Sequence, residues 1–341
     1  MRDRALLAIR KDTMMSSLQE TSLGGPETAT RPPETVDQVL RKKSPVTARR
    51  AMVAWSFLLP FAVLFTVSLI IPMIVGVRNS FFTRKSSGGG LFGGGEMVDH
   101  FVGLENYVAA ATNSAFWSGM GRVLGYGLWQ IPIMIGCALV LALLLDSLLV
   151  RRVGGFRLAY FVPFAIPGVV GTMIWMYLYN PNLSPFMQLL PDWLNFMSPR
   201  FVMLAIGNVV WWQFVGFNML VFLAALQAIP RELYDAARID GASGLQIALR
   251  VKIPLLRNSA ILTILLSIIG TIQLFGEPVI FATTNPWITQ TFTPMMMAYG
   301  SQVGLLVPGG PGPGGAISVM MALVAGLLAA IFVLIQKKLV K

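Results

Sequence analysis

The segment Ile229-Pro-Arg-Glu-Leu-Tyr-Asp-Ala-Ala-Arg-Ile-Asp-Gly-Ala-Ser-Gly-Leu-Gln-Ile-Ala-Leu-Arg-Val-Lys-Ile-Pro254 is a charged interruption in a chain that is otherwise strongly apolar. Its punctuation specifies two short helices. Pro230 suits the start of a helix, where its missing N–H has no intrahelical partner to lose, and Glu232 opposes the positive end of the helix dipole. Gly241 stops that helix. Ser243 can cap the next one, in which Leu245, Ala248 and Leu249 form an i, i+3, i+4 stripe, and Pro254 marks its end. The predicted product is an amphipathic helical hairpin at the membrane surface. By physics alone such a hairpin could simply pack against its own bundle.

On either side of it run uncharged stretches, from Arg200 to Arg231 and from Arg257 to Glu277. Others lie between Arg50 and Arg78, Arg122 and Asp146, Arg157 and Asp192, and from Ala316 to Gln336. Each approaches or exceeds the ~20 apolar residues that cross a bilayer as a helix. The composition agrees: of 341 residues 55% are hydrophobic and 12% charged, with mean hydropathy +0.69, against roughly 25% charged in a soluble domain. The expectation is an all-α integral membrane protein with six transmembrane helices. The first apolar run has the length of a span and follows a polar, charged segment, so it reads as a retained anchor and not as a cleavable signal peptide.

A net charge of +11 could suggest nucleic acid, but the basic residues are distributed by topology. They crowd residues 1–50 (Arg2, Arg4, Arg10, Lys11, Arg31, Arg41, Lys42, Lys43, Arg49, Arg50), the loop after span two (Arg151, Arg152, Arg157), the hairpin (Arg231, Arg238, Arg250, Lys252, Arg257) and the tail (Lys337, Lys338, Lys341). The opposite side holds only Arg78, Arg84, Lys85, Arg122 and Arg200. By the positive-inside rule both termini and the hairpin are cytoplasmic. Residues 1–48 mix charge with Ser, Thr and Pro, show no apolar stripe, and read as a disordered cytoplasmic extension; residues 49–341 form the membrane domain. Outside the membrane, Gly88–Gly90 and Gly93–Gly95 read as a flexible loop before Phe101-Val-Gly-Leu-Glu-Asn-Tyr107, and Pro308–Gly315 is a Pro/Gly-rich segment. The latter contains G-x-G-x-x-G from Gly310 to Gly315, but no strand precedes it and it lies outside, so a dinucleotide fold is excluded.

Several chemistries are excluded too. No G-x-x-x-x-G-K-[ST] occurs, so ATP cannot be bound in the P-loop manner and any ATP dependence must come from a partner. Cys137 is the single cysteine and His100 the single histidine, which rules out an internal disulfide and a Cys-based metal site. There is no G-x-S-x-G elbow and no carboxylate–histidine cluster, so no catalytic residues and no metal ligands are assigned.

The spacing of the hairpin resembles the EAA loop of binding-protein-dependent ABC importers, whose pattern is E-A-A, three residues, G, nine residues, I-x-L-P. Here Asp235-Ala236-Ala237 is followed by three residues, Gly241, nine residues, and Val251-Lys252-Ile253-Pro254. The departures are Asp for Glu, Val for Ile and Ile for Leu. The likeness extends from about residue 50 to the C-terminus and is similar to the sugar-permease branch, of the maltose and glycerol-phosphate transporter type. It is carried by Phe101–Tyr107, by Phe161-Val-Pro-Phe-Ala-Ile-Pro167 with Trp175, by Leu223-Ala-Ala-Leu-Gln-Ala-Ile-Pro230 and by Phe275-Gly-Glu-Pro-Val-Ile-Phe-Ala-Thr283; after the last, Thr284-Asn-Pro-Trp stands where the family often has Gly-Gly-Pro.

The resemblance implies a type I ABC importer permease fold in a bacterial cytoplasmic membrane. It implies that the loop 229–257 carries the coupling helix, with Glu232, Tyr234, Asp235, Ala236, Ala237, Asp240, Gly241, Ala242 and Pro254 as the ATPase-coupling residues. The small ones among these would permit close approach to the ATPase. The implied partners are a second related permease, two copies of an ABC ATPase that uses ATP and magnesium, an external solute-binding protein and membrane lipid, with no cofactor in this chain and no nucleic acid. The implied cargo is a sugar, specifically an oligosaccharide, with a polyol or glycerol phosphate as alternatives within the class. A self-contained secondary carrier is the rival class, but the paired repeats and buried ion-coupling charges of such carriers are not seen.

Polar groups inside spans mark candidate pathways. Glu277 and Gln273 at the outer part of span five, and Gln213 and Asn218 in span four with Trp211 and Trp212, combine hydrogen bonding with flat apolar surface. Glu277 could equally pair within the bundle or face external water, and the tryptophans could be core. The scarcity of charge suits a neutral, hydroxylated solute. Pro163 and Pro167 would interrupt span three, as a hinge or a simple bend.

Overall fold

The computed structural model describes residues 48–86, 97–147, 153–191, 193–306 and 310–339. The extension up to residue 47, the Gly88–Gly95 cluster, Arg151, Arg152, Pro308 and Lys341 lie outside them. The chain divides into two compact units at Phe65 and Thr66. The first contributes α1 (Ala48–Phe65), in which Phe61 and Phe65 stack at 5.7 Å and the large side chains, Phe57 and Phe61 among them, are exposed. That suits a helix wetted by lipid.

The second unit begins with a π turn, Thr66–Ile70, and α2 (Ile71–Asn79). It continues with the strands β1 (Phe82–Ser86) and β2 (Met97–Phe101), then α3 (Glu105–Thr112), α4 (Ser114–Asp146), α5 (Val153–Ala165), α6 (Gly168–Tyr179) and α7 (Val202–Gln227). After the hairpin come α11 (Arg257–Ile272), α12 (Gly276–Ala282), α13 (Pro294–Gln302) and α14 (Pro311–Leu339). Five stretches are long and apolar enough to span: Trp55–Asn79, Ser114–Asp146, Val202–Gln227, Arg257–Ala282 and Pro311–Lys338. The expected third span is no single straight helix, because α5 and α6 meet at 95°. Pro167 has no N–H to give the carbonyl four residues back, and its ring crowds that turn. Only a tightened bond from the Ile166 N–H to the Pro163 carbonyl, 3.2 Å, closes α5.

The helices pack through small residues, which lets backbones approach where lipid offers no hydrophobic drive between helices. A Cβ on Gly216 of α7 would lie 1.7 Å from the Tyr160 carbonyl oxygen of α5. One core gathers Met134, Ala138, Ala142 and Leu145 of α4 with Met219, Phe222 and Leu226 of α7. A second joins Tyr126 and Tyr179 to Val202, Ile206, Leu274 and Phe281.

Two outer segments differ from expectation. The stretch Gly310–Gly315, a Pro/Gly-rich external segment by sequence, enters helix at Pro311, the favoured place for proline. Its glycines are there for contact: a Cβ on Gly312 would meet the Phe82 carbonyl oxygen at 1.8 Å and one on Gly314 the Ala298 carbonyl oxygen at 2.5 Å. The other is the antiparallel β1–β2 ribbon, an addition to an otherwise helical fold, with Phe82 opposite Phe101 and Arg84 opposite Asp99. Asn106 holds it down. Its Nδ2 donates to the Ser80 and Phe82 carbonyls at 2.8 and 3.0 Å, and its Oδ1 accepts from Thr83 Oγ1 at 3.0 Å. Asn106→Leu, which strands the buried Ser80 carbonyl and two part-buried partners, is expected to cost about 2–3 kcal/mol and to lower the melting temperature in detergent. An unchanged midpoint would contradict that reading of the Phe101–Tyr107 motif.

Candidate functional site

The hairpin is built as its punctuation requires. α8 (Arg231–Ile239) carries Glu232 in its first turn and an exposed Arg238–Asp235 pair at 3.0 Å. It closes in a Schellman motif: the Ala242 N–H donates to the Ala237 carbonyl at 2.9 Å and the Gly241 N–H to the Arg238 carbonyl at 3.0 Å. The motif needs a left-handed residue, and Gly241 supplies φ +81. No atom lies within 4 Å of where a Gly241 Cβ would stand, so within this chain backbone conformation, not close approach, demands the glycine. α9 (Gly244–Ile247) opens with a full capping box, Ser243 Oγ accepting from the Gln246 N–H at 3.3 Å and Gln246 Oε1 from the Ser243 N–H at 2.7 Å.

Pro254 does not end the second helix. The chain runs through a π turn (Ala248–Lys252) and α10 (Ile253–Leu255), and breaks at Leu256 just before α11. The wider turn, with the Ile253 N–H bonded to the Ala248 carbonyl, makes room for the proline ring within a continuing helix.

The apolar stripe faces outward. Leu245 is 70% exposed and Leu249 55%, and Ile239 of α8 is 86% exposed; Ile247 alone of the second limb's first turn is buried. A hairpin packed on its own bundle would hide that stripe, so packing within the chain does not account for it. Asp235, Ala236, Asp240 and Gly241 are exposed, Tyr234, Ala237 and Ala242 half-buried. Behind the hairpin, Lys252 Nζ lies 2.6 Å from Asp146 Oδ2 at the end of α4 and 4.9 Å from the centre of the Tyr234 ring. Burial, and then the Asp146 carboxylate, push the Tyr234 phenol above its ordinary pKa, so it stays neutral through the physiological range.

The candidate pathway residues do not converge on one cavity. Gln213, buried, donates from Nε2 to the Ile166 carbonyl at 3.1 Å, satisfying a group freed at the α5–α6 break. Asn218, also buried, donates back to the Phe214 carbonyl at 3.1 Å. Each side-chain amide thus gives one N–H to backbone. Trp212 sits edge-on to Trp175 at 5.8 Å. Gln273 is exposed at the break between α11 and α12, and Glu277, half-buried in the first turn of α12, lies within electrostatic reach of Tyr126.

A different cavity, of about 430 Å³, opens among the outer ends of α4 and α7 and the segment before α13; Arg122, Ser118, Trp287, Thr289 and Thr291 line it. Arg122 donates to the Phe292 carbonyl and stands 4.3 Å over the Phe292 ring. Sequence reading passed over this group, because its members lie far apart in the chain and none belongs to a motif. It likewise missed Asp146 and Lys252, 106 positions apart; the one legible sign was an acid ending an apolar span beside a basic loop.

The fold and the hairpin together define a multi-pass membrane protein with a helical hairpin whose apolar stripe is exposed. The family model described as "Binding-protein-dependent transport system inner membrane component" matches residues 138–341, well over half of the chain, and the chain belongs to that family. It is similar to the arabinooligosaccharides transport system permease protein AraP of Bacillus subtilis, 29% identical over 238 residues covering 67% of this chain and 72% of the relative. It is also similar to the lactose transport system permease protein LacF of Rhizobium radiobacter, 29% identical over 239 residues covering 65% and 74%. A crystal structure of a bacterial alginate ABC transporter, in complex with an alginate pentasaccharide-bound periplasmic protein, contains a chain of the same fold: TM-score 0.69, 17% identity, covering 86% of this chain and 96% of that one.

Proposed function

We propose that this chain is one membrane-spanning half of an ATP-driven sugar importer in a bacterial cytoplasmic membrane. An external solute-binding protein delivers an oligosaccharide. A second related permease completes the passage, and two copies of a separate ABC ATPase, with ATP and magnesium, dock on the loop 229–257. The observation that carries the reading is the outward apolar stripe of Ile239, Leu245 and Leu249, held on a glycine-closed, capped hairpin at the EAA-loop positions. An apolar face displayed on the side where charge places the cytoplasm suits a groove on a soluble partner. The relatives named for arabinooligosaccharide and lactose transport support a sugar as cargo. The hydroxyl-bearing outer cavity around Arg122 and Trp287 would meet the solute first, ahead of Glu277 and Trp212, and its flat ring and hydroxyls suit a sugar.

The test is a mild-detergent pull-down of the tagged chain with identification of what accompanies it. An ATPase and a second permease are expected; a lone chain that still moves solute would replace this reading with a secondary carrier. For the cavity, Trp287→Ala is expected to raise the half-saturating solute concentration up to about tenfold, the upper end of a lost aromatic contact of about 0.5–1.5 kcal/mol, with the assembled complex intact. An unchanged concentration dependence would remove the cavity from the pathway.

A further inference from the structure

The coupling hairpin joins the membrane bundle through two chain connections, Leu226–Pro230 into α8 and α10 into α11. Two attachments define an axis, and a body held by two points can swing about it. Ile247 adds an apolar contact, but dispersion contacts are non-directional and tolerate sliding. Among the described residues, directional constraint comes from two contacts. One is a long hydrogen bond from Tyr234 Oη to the Leu226 carbonyl, 3.5 Å, beside the chain connection itself; the other, away from it, is Lys252 Nζ to Asp146 Oδ2 at 2.6 Å, with side chains only 14% and 16% exposed. A solvent-exposed ion pair holds geometry weakly. Here both charges are largely withdrawn from water, so separating them exposes each to an uncompensated desolvation penalty and the pair resists displacement. The Tyr234 ring, 4.9 Å from the ammonium, brings the first limb into the same contact.

We infer that Asp146, Lys252 and Tyr234 are positioning residues that lock the hairpin to the end of α4, so that movement imposed on the hairpin turns α4 instead of dissipating in rotation about its own chain connections. The three groups come from three elements: the end of α4, α8, and the π turn before α10. α4 carries one side of the core it shares with α7, Leu145 beside Asp146 included, so a displacement delivered at Asp146 reaches the bundle through that core. Neither Asp146 nor Lys252 lies on the outward apolar stripe or among the residues named for ATPase coupling, so replacing either leaves Ile239, Leu245 and Leu249 in place. The transport role rests on the importer reading above; the mechanical lock does not.

The test has two arms. In a Cys137→Ser background, spin labels at Ile239→Cys on the hairpin and Leu144→Cys on α4 report their separation by electron double resonance on the purified chain. One narrow distance distribution is expected. Asp146→Asn and, independently, Lys252→Met are each expected to lose the single narrow peak, and the exchanged pair Asp146→Lys with Lys252→Asp to restore it, a rescue that general destabilisation does not give. In the second arm, the complex carrying Asp146→Asn is expected to keep its ATPase and its ATP hydrolysis. Uptake per ATP hydrolysed, of the oligosaccharide that wild-type vesicles accumulate, is expected to fall about tenfold, the scale of one charged hydrogen bond. A narrow peak surviving in both single variants, or an exchanged pair that restores neither peak nor uptake, would overturn the inference. Correct resonance results from a wild-type chain that recruits no ATPase would overturn the importer reading alone.

Discussion

Gly241→Val is expected to reduce ATPase co-purification with the permease, and uptake with it, about tenfold, while the chain still inserts and migrates as a folded protein. Gly241 holds φ +81, a region in which a side chain meets the following carbonyl at a cost of roughly 1–2 kcal/mol, and a β-branched residue suits it worst. The hairpin escapes that strain by giving up the two bonds that close α8, from Ala242 to Ala237 and from Gly241 to Arg238, which turns the second limb and its leucines out of register with the first. Because a Cβ there meets open space, the damage stays in the hairpin and spares the bundle. Asn, which tolerates the left-handed region, is expected to restore most of the recovery. The measurement is the molar ratio of ATPase to permease after tandem affinity purification. Wild-type recovery for the valine variant would dismiss the glycine-closed hairpin as the docking element.

Gly216→Ala is expected to do the opposite kind of harm, unfolding the bundle before any partner is involved. Its Cβ would stand 1.7 Å from the Tyr160 carbonyl oxygen and 2.5 Å from the carbonyl carbon. Both are backbone atoms of α5 that cannot rotate away, so α5 and α7 must separate. Phe164 stacks on Phe217 at 4.8 Å, and Gln213 bridges to the Ile166 carbonyl on the same face, so separation also strips the bond that satisfies the break in span three. Overpacking of this kind costs about 3 kcal/mol, and a drop in melting temperature with loss of the monodisperse peak in fluorescence-detected size exclusion should reveal it. A variant as stable as wild type would mean that α5 and α7 lie farther apart than described here.

Much of this was legible in the chain because the signals are local. Spans follow from uncharged length alone, since backbone in lipid must close its own hydrogen bonds. The hairpin follows from Pro230, Gly241 and Ser243, each of which acts on its own turn. Where local rules and packing compete, the chain was misleading. Glycines at 310–315 read as a Pro/Gly-rich external segment and serve as close contact in a helix, because the missing Cβ leaves either use open and only the neighbour, the Phe82 carbonyl, decides. Pro254 read as a stop, yet a widened turn absorbs it. Gln213 and Asn218 read as candidate solute contacts because a polar residue in a span must have a partner, and only the fold shows that one N–H of each goes to a backbone carbonyl, of Ile166 and of Phe214.

By itself, then, the order of residues determined the class of protein and its sidedness, which depend on the length of uncharged runs and on which loops hold the basic residues. It also determined the hairpin's two limbs, which depend on neighbours within about one helical turn. Only the tertiary structure decided that the hairpin's apolar stripe faces outward, that Asp146 meets Lys252, that Arg122 shares a cavity with Trp287, and that span three breaks at 95°. These depend on groups tens to hundreds of positions apart, whose meeting is set by how close two backbones can come and therefore by glycines such as Gly216, whose partner carbonyls no linear pattern names.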